Sequence, residues 1–397
     1  MRIGIIGCGV AGQAASIELS RAGHDVALFE RFARPRPLGA GLLLQPSGLL
    51  ALDRLGLRDA ALRRGACVFE LDGRIVGGRR VLDLRYGTGE FGLGLHRGVL
   101  FRILHDALTA TGARLHLGFE VAAIENAARP SIVSSSGERA GPFDLLLDCA
   151  GAHDVLRGSL GVKVRAPLYR WGALWTICRD RAGNFTGKLR QVYDRAHMMI
   201  GILPVGEAPD ADDGAPHVAF FWSLRLDDVE AQRKAGLDAL KARAIAAWPE
   251  AAPIVDQIGS FDDLSLASYR RVAMPRPRIG RVLVMGDAAH GTSPQLGQGA
   301  NLALIDAITL ARCLAQDGDA DAALSHYERA RRGHVGFYSL ASRALTPVFQ
   351  SDGVVLPWLR DTFLARANML PGGRYLTRTT LSGIRKLPWG LWKAPEP

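Results

Sequence analysis

The first thirty residues constrain the fold more than any other stretch. Arg2-Ile-Gly-Ile-Ile-Gly7 is a short β-branched run, and Gly7-Cys-Gly-Val-Ala-Gly12 follows it. An Ala- and Leu-rich helical stretch then runs to Ala22, and Asp25-Val-Ala-Leu-Phe-Glu30 reads as a second strand. The spacing predicts a parallel βαβ unit. Within it Gly7 makes the tight turn, Gly9 leaves the backbone bare for a pyrophosphate, and Gly12 lets helix and strand pack closely. Val10 and Ala11 open a helix whose free amides and partial positive charge suit an anion. Glu30, 18 residues after Gly12, ends the second strand. Its carboxylate suits ribose hydroxyls and repels a 2′-phosphate. Gly87-Thr-Gly-Glu-Phe-Gly92 repeats the glycine pattern but follows no strand-to-helix transition, so it reads as a loop.

A second glycine-rich stretch starts at Gly280. Arg281-Val-Leu-Val-Met reads as a buried strand and Asp287 stands just past its end. A Pro/Gly loop through Pro294, Gly297 and Gln298 leads to a helix beginning near Gly299, with Ala300 and Asn301 in its first turn. Asp287 offers a hydroxyl-binding carboxylate, and the loop offers amides to an anionic ligand. Two such half-sites far apart in sequence suit one extended cofactor, flavin adenine dinucleotide (FAD). Amides at the Gly299 end would face the flavin edge where negative charge gathers on reduction.

The middle of the chain reads differently. Residues 65–96 and 161–271 alternate and carry aromatics, including Trp171 and Trp175. Met198–Leu203 and Val218–Leu224 flank a turn-like acidic stretch, Glu207–Gly214, which predicts an antiparallel hairpin. Leu237–Trp248 reads as a helix. By alternation Phe220 and Trp222 share one face and Phe221 takes the other. Phe220 and Trp222 are expected at the substrate, with Tyr269 a further pocket candidate. The expected organisation is a discontinuous FAD-binding domain (1–64, 97–160 and 272–340), a substrate domain (65–96 and 161–271) and a C-terminal helical region (341–397).

Composition narrows the function classes. The net charge of +10 permits acidic partners, but no zinc-finger spacing or RNA-binding aromatic motif favours nucleic acid. The five cysteines are scattered, with no Cys-x-x-Cys, which suits a reducing, cytoplasmic setting. No clustered His/Asp/Glu spacing suggests a metal. Met1–Ile6 is too short for a signal-peptide core, and no apolar run reaches a membrane span. From Arg366 onward basic residues dominate, with Trp389 and Trp392 among them. Such a tail is either a solvated helix or a peripheral membrane contact. Oligomeric state is not legible.

The two motifs together resemble those of the single-component flavin monooxygenases of the p-hydroxybenzoate hydroxylase type. Gly286-Asp-Ala-Ala-His-Gly-Thr-Ser-Pro-Gln-Leu-Gly-Gln-Gly-Ala-Asn301 matches the second family signature almost throughout. Glu30-Arg31, Gly39-Ala-Gly41, Gln45-Pro46, Leu55-Gly-Leu57 and His96-Arg97 before an apolar helix also fit. The resemblance covers most of residues 1–345. The tail, with Phe349-Gln-Ser-Asp352 and Leu387-Pro388, is more weakly similar to the ubiquinone-biosynthesis hydroxylases.

The resemblance implies an α/β fold: a Rossmann-like FAD-binding domain, an inserted, mostly antiparallel β-sheet substrate domain and a C-terminal helical region. It implies that Asp287 binds the ribityl chain and that Pro294 and the Gly297–Asn301 turn line the isoalloxazine. Arg97 is expected at the flavin or its ribityl and phosphate region, and Arg31, Gly41 and Val121 among the cofactor contacts. His290 is expected to order its loop. NADH or NADPH is the implied transient reductant, and a flavin C4a-hydroperoxide the implied oxidant of a small aromatic or lipophilic substrate, phenol-like or a quinone precursor. No protein nucleophile or base is implied.

One departure stands out. The family carries an Asp-Gly pair after the strand at Leu145–Leu147, shared between FAD and NAD(P)H contacts. Here Gly151 is present, but the acid is Ala150; Asp148 and Asp154 lie near in sequence, neither at the matching position. A non-catalytic FAD-binding scaffold therefore stays open, and so does a flavin reductase acting on a polyprenyl substrate, which shares the architecture. A flavin halogenase does not fit, because Trp171-Gly-Ala-Leu-Trp175 lacks the Trp-x-Trp-x-Ile-Pro pattern.

Overall fold

Arg2–Ile6, Asp25–Glu30 and Leu145–Asp148 are buried at nearly every position, on both faces. That is the signature of parallel strands covered on both sides. In the computed structural model, which describes residues 1–35, 41–162, 164–209, 215–368, 370–388 and 390–393, they form the centre of a six-stranded sheet. Its order is Arg278–Ile279, Val282–Val284, Leu145–Asp148, Arg2–Ile6, Asp25–Glu30, Arg114–Leu117. All neighbours are parallel except the Arg278–Ile279 edge strand. Alternation divides the two faces. Ile3, Ile5, Val26, Leu28, Leu145 and Leu147 pack on the helices Val10–Arg21, Arg97–Thr109 and Gly299–Asp317. Ile6, Ala27, Phe29 and Leu146 face a three-stranded sheet through Ile124 and Ile132.

The second large sheet has nine strands and is antiparallel except where Gly187–Asp194 runs parallel to Ala66–Ile75. The expected hairpin is present, Met198–Gly206 against His217–Arg225. Gly41–Leu44, grouped by sequence with the FAD-binding segments, hydrogen-bonds to Gly92–His96 at the end of this sheet, so the two layers share chain there. Gly87–Gly92 is a turn between strands, as its context suggests. The helix Leu237–Ala247 covers one face of the sheet.

The chain then runs through a 30-residue helix, Ala320–Phe349, whose start is capped by Asp319 accepting from the Ala322 N–H at 2.9 Å. The tail is only partly helical: it ends in a short hairpin, Arg385–Lys386 with Gly390–Leu391. Trp392 is no surface anchor; it is buried and stacked on His334, ring centroids 5.2 Å apart. Trp389, Gly39, Ala40 and the centre of the Glu207–Gly214 turn lie outside the described residues. Among the described residues no helix is long and apolar enough to cross a membrane.

Candidate cofactor and active site

Parallel strands all present their carboxyl ends to one edge, and ligands bind where that edge opens. Asp287, the Asp148–Gly151 segment, Gly7–Gly9 and Glu30 follow four adjacent strands in that order. Three inter-strand spacings separate the outer two, about 14 Å, a span that suits an extended ligand. A second concavity, lined by Arg2, Asp25 and Arg114, opens at the opposite, amino-terminal edge and is not this crevice.

The glycines behave as their spacing requires. Gly7 has φ +96°, and a Cβ there would lie 2.6 Å from the Cys149 carbonyl oxygen. A Cβ on Gly12 would lie 1.9 Å from the Gly7 carbonyl oxygen. Gly9 caps the helix without a side-chain hydrogen bond, and a Cβ there would meet nothing within 4 Å. First-turn amides and bare backbone thus face open space, the condition a pyrophosphate needs. Glu30 is nearly buried and accepts from the Cys8 N–H at 2.8 Å and the Phe32 N–H at 3.0 Å. Val10 is half-buried and Ala11 buried; Arg31 is exposed, its guanidinium over the Phe32 ring at 4.6 Å. Val121 packs at the edge of the Phe29–Ile124 cluster.

The second motif joins the first directly. Gly286, at φ +59°, is so close to the first helix that its Cβ would sit 3.0 Å from the Ala11 Cβ. Asp287 is exposed, and its carboxylate takes no hydrogen bond from the described residues. Gly297 is left-handed, and Gln298 precedes the Gly299–Asp317 helix without capping it, leaving first-turn amides free. Ala300 is half-buried. Asn301 is fully buried: its Oδ1 accepts from the Gln45 N–H at 2.8 Å, and its Nδ2 donates to the Gly297 carbonyl at 2.7 Å. It fastens the Pro294–Gly299 loop onto the end of the Gly41–Leu44 strand.

Beneath the loop lies a charge cluster that sequence reading missed. Asp306 is fully buried and accepts from the Gly286 N–H at 3.0 Å, meets His290 Nε2 at 2.6 Å and accepts from Arg331 Nε at 2.7 Å. Burial alone would raise its carboxyl pKa. His290 and Arg331 outweigh burial and hold it well below the usual 3.8. His290 orders the loop, as its motif suggests. Next along, burial pushes the His334 imidazole down to about 3, with Arg331 adding to the effect.

The Ala150 departure has a structural counterpart. Asp148 is fully buried, and its Oδ1 accepts from the Ala150 N–H at 3.1 Å. Burial, then the neighbouring Asp154, raises the Asp148 carboxyl above 3.8. Arg157 Nε forms an ion pair with Asp154 Oδ2 at 3.0 Å, and its Nη1 donates to the Ala288 carbonyl, tying this segment to the Asp287 turn. Both carboxyls therefore serve an internal network and do not stand in for the missing surface acid.

A carboxyl whose folded pKa is raised supports the fold at low pH and withdraws that support as pH rises through that pKa. The depressed His334 acts oppositely, but only below 6.5. Between about pH 6.5 and the raised Asp148 value of about 8, its titration is expected to lower stability by up to about 1.4 kcal/mol per pH unit. Asp148→Asn should flatten that slope in urea-unfolding midpoints. A slope unchanged by the substitution contradicts this reading.

The substrate-side expectations need one correction. Phe220 and Trp222 do share a face, but it is the one covered by Leu240, Ala244 and Trp248, where both are sealed in a core. Phe221 takes the face toward the Pro294 loop. It sits 4.7 Å from Trp175 and clusters with Tyr193, Met199 and Phe349. Trp175 lies beside the Tyr269 hydroxyl, whose pKa is raised by burial and drawn partly back by Trp175 and Arg97. The buried Trp175 indole N–H meets that hydroxyl without closing a well-formed hydrogen bond. Arg97 itself is exposed at the start of its helix. Gln295, next to Pro294, donates to Gln350 Oε1 at 2.6 Å, and Gln350 donates to Ser223 Oγ at 2.6 Å.

A parallel-sheet crevice with acids at its strand ends, continued by a second glycine loop and faced by an antiparallel sheet, defines a flavin-dependent oxidoreductase. The chain belongs to the FAD-binding domain family, whose model matches residues 1–336. It is 31% identical over 366 residues to the 3-amino-4-hydroxybenzoate 2-monooxygenase of Streptomyces cremeus, covering 83% of each chain. It is 25% identical over 387 residues to the aurachin C monooxygenase/isomerase of Stigmatella aurantiaca, covering 94% of this chain and 96% of that one. A Klebsiella pneumoniae HpxO variant complexed with FAD shares the fold, with TM-score 0.80 at 22% identity over 96% of this chain and 99% of that one. The protein is an FAD-dependent monooxygenase, of a family whose typical reductant is NAD(P)H.

Proposed function

We propose that this enzyme hydroxylates a small aromatic carrying a hydrogen-bonding substituent, in the cytoplasm. The observation that carries the reading is the aromatic wall of Trp175 and Phe221, ring centroids 4.7 Å apart, with the Tyr269 hydroxyl beside the Trp175 indole N–H. Side by side, the indole N–H and the phenol O–H offer two donors that one ligand acceptor can bridge. A substrate carbonyl or phenolate oxygen would do so. The relatives act on aromatics: one is a 3-amino-4-hydroxybenzoate 2-monooxygenase.

The residues present fit FAD. Glu30 would hold the adenosine ribose, with Arg31 and Val121 nearby. Gly7, Gly9, Val10, Ala11 and Gly12 would hold the pyrophosphate and Asp287 the ribityl chain. Gly41, Arg97, Pro294 and the Gly297–Asn301 turn would border the ring system. Bound there, FAD supplies the two-electron reduction and oxygen chemistry. The chain's part is to orient the aromatic ring, stabilise negative charge with the helix amides at Gly299 and Ala300, and exclude water. The Gln295–Gln350–Ser223 relay fixes the loop's distance from the sheet.

The test is anaerobic mixing of FAD-loaded protein with NADH or NADPH, alone and with a panel of phenols and quinolones. A bound aromatic should accelerate flavin bleaching, and readmitted oxygen should give hydroxylated product in place of H2O2. Trp175→Phe should raise KM for that aromatic about tenfold, the worth of one buried hydrogen bond. Absence of bleaching with both nucleotides across the panel would favour a scaffold; bleaching followed by reduction of a polyprenyl substrate would favour the reductase.

A further inference from the structure

We propose that the outward faces of the Val355–Ala367 run and the Pro371–Leu381 helix form a docking surface for an anionic lipid bilayer. The first run is an amphipathic helix turned inside out. Its inward positions are Pro357, Arg360, Leu364 and Asn368, at i, i+3, i+7 and i+11. Arg360 is buried, its guanidinium over the Tyr193 ring at 4.6 Å and paired with Asp361 at 2.7 Å. The outward positions are apolar: Val355 is 63% exposed, Trp358 58% and Phe363 49%. A helix on a water-facing surface shows the reverse arrangement.

The second helix continues the surface. It abuts the first so closely that a Cβ on Gly373 would lie 2.0 Å from the Ala367 carbonyl oxygen. It turns Tyr375 and Leu376 outward, with Leu370 just ahead of it 65% exposed. Scattered exposed apolar residues need no explanation, but a contiguous patch of this kind marks an interaction site.

Charge selects the occupant. Arg366 and Arg374 stand exposed among these side chains, and no acid of the described residues pairs with either. The acids of the neighbourhood are engaged: Asp352 with Arg225 at 3.1 Å, and Asp361 with Arg360. A two-fold contact with a second copy would set the same patch against itself, bringing unpaired arginines together with no acid to receive them. A phosphate-bearing lipid surface answers both features: headgroups for the arginines, and the interfacial layer for the tryptophan, tyrosine and aliphatic side chains. The inference rests on this surface alone and not on the substrate reading.

The test is co-sedimentation of the FAD-loaded full chain with vesicles of phosphatidylcholine, with or without about a quarter phosphatidylglycerol. Binding is expected with the anionic vesicles, weaker with phosphatidylcholine alone and weaker in high salt. The double variant Trp358→Ser/Phe363→Ser and the double variant Arg366→Gln/Arg374→Gln should each bind about tenfold less, at unchanged FAD content and thermal midpoint. The proposal is overturned by absence of binding to anionic vesicles, or by binding that both double variants retain. It is equally overturned if the wild-type chain dimerises, Trp358→Ser/Phe363→Ser breaks the dimer, and neither binds vesicles.

Discussion

Asp306→Ala is expected to destabilise the protein by about 3–5 kcal/mol, the cost of removing one partner from a buried ion pair. The reason lies in what Asp306 holds. One oxygen takes the Gly286 N–H and His290, the other takes Arg331, and all of them are buried. Without the carboxylate the Arg331 guanidinium keeps its charge in a dry site with only a carbonyl and a neutral imidazole beside it. The Gly286–His290 turn, which carries Asp287, loses its anchor in the same step. Urea unfolding measures the loss, and FAD retention should fall with it. A loss below about 1 kcal/mol would assign the cluster to the weak class of surface ion pairs.

Gly12→Val is expected to abolish FAD retention. Its Cβ would fall 1.9 Å from a backbone oxygen, and neither the first strand turn nor the first helix can move without unpacking the sheet. Overpacking of this kind costs about 1–3 kcal/mol or more. Because Gly12→Val could lose FAD through damage to the fold, Gly9→Ala separates the causes. A Cβ at Gly9 touches nothing in the protein, so that variant should match the wild type in stability and still bind FAD more weakly, the added methyl occupying the space left for the pyrophosphate. Gly9→Ala with undiminished FAD affinity would place the pyrophosphate elsewhere.

Much of this was legible in the sequence because backbone geometry dictates residue type. Gly7, Gly12 and Gly286 tolerate no side chain, and acids at the ends of buried strands advertise hydroxyl recognition. Alternation divided Phe220 and Trp222 from Phe221 correctly. It could not tell which face the helix Leu237–Ala247 would cover, and so it sent toward the substrate the pair that this helix seals in a core. Pairings across long loops left no local signal either. Gln350 reaches Ser223 across 127 positions, and Arg331 reaches Asp306 from a different helix. The pairing of Gly41–Leu44 with Gly92–His96 likewise joins segments that the sequence gives no local sign of joining. The inverted helix after Val354 reads by composition as an ordinary apolar segment; only the direction of its faces reveals an unpartnered surface.

The central claim is that one extended flavin is gripped by Glu30 at one end and by Asp287 at the other. It is tested most directly by incubating the purified chain with excess FAD, removing free flavin by gel filtration and recording the visible spectrum beside that of Asp287→Ala. The account predicts a yellow wild-type protein near one flavin per chain, and a soluble variant whose affinity is weaker by the roughly 1.5–3 kcal/mol of a charge-assisted hydrogen bond. A colourless wild type, or a variant as yellow as its parent, would contradict it.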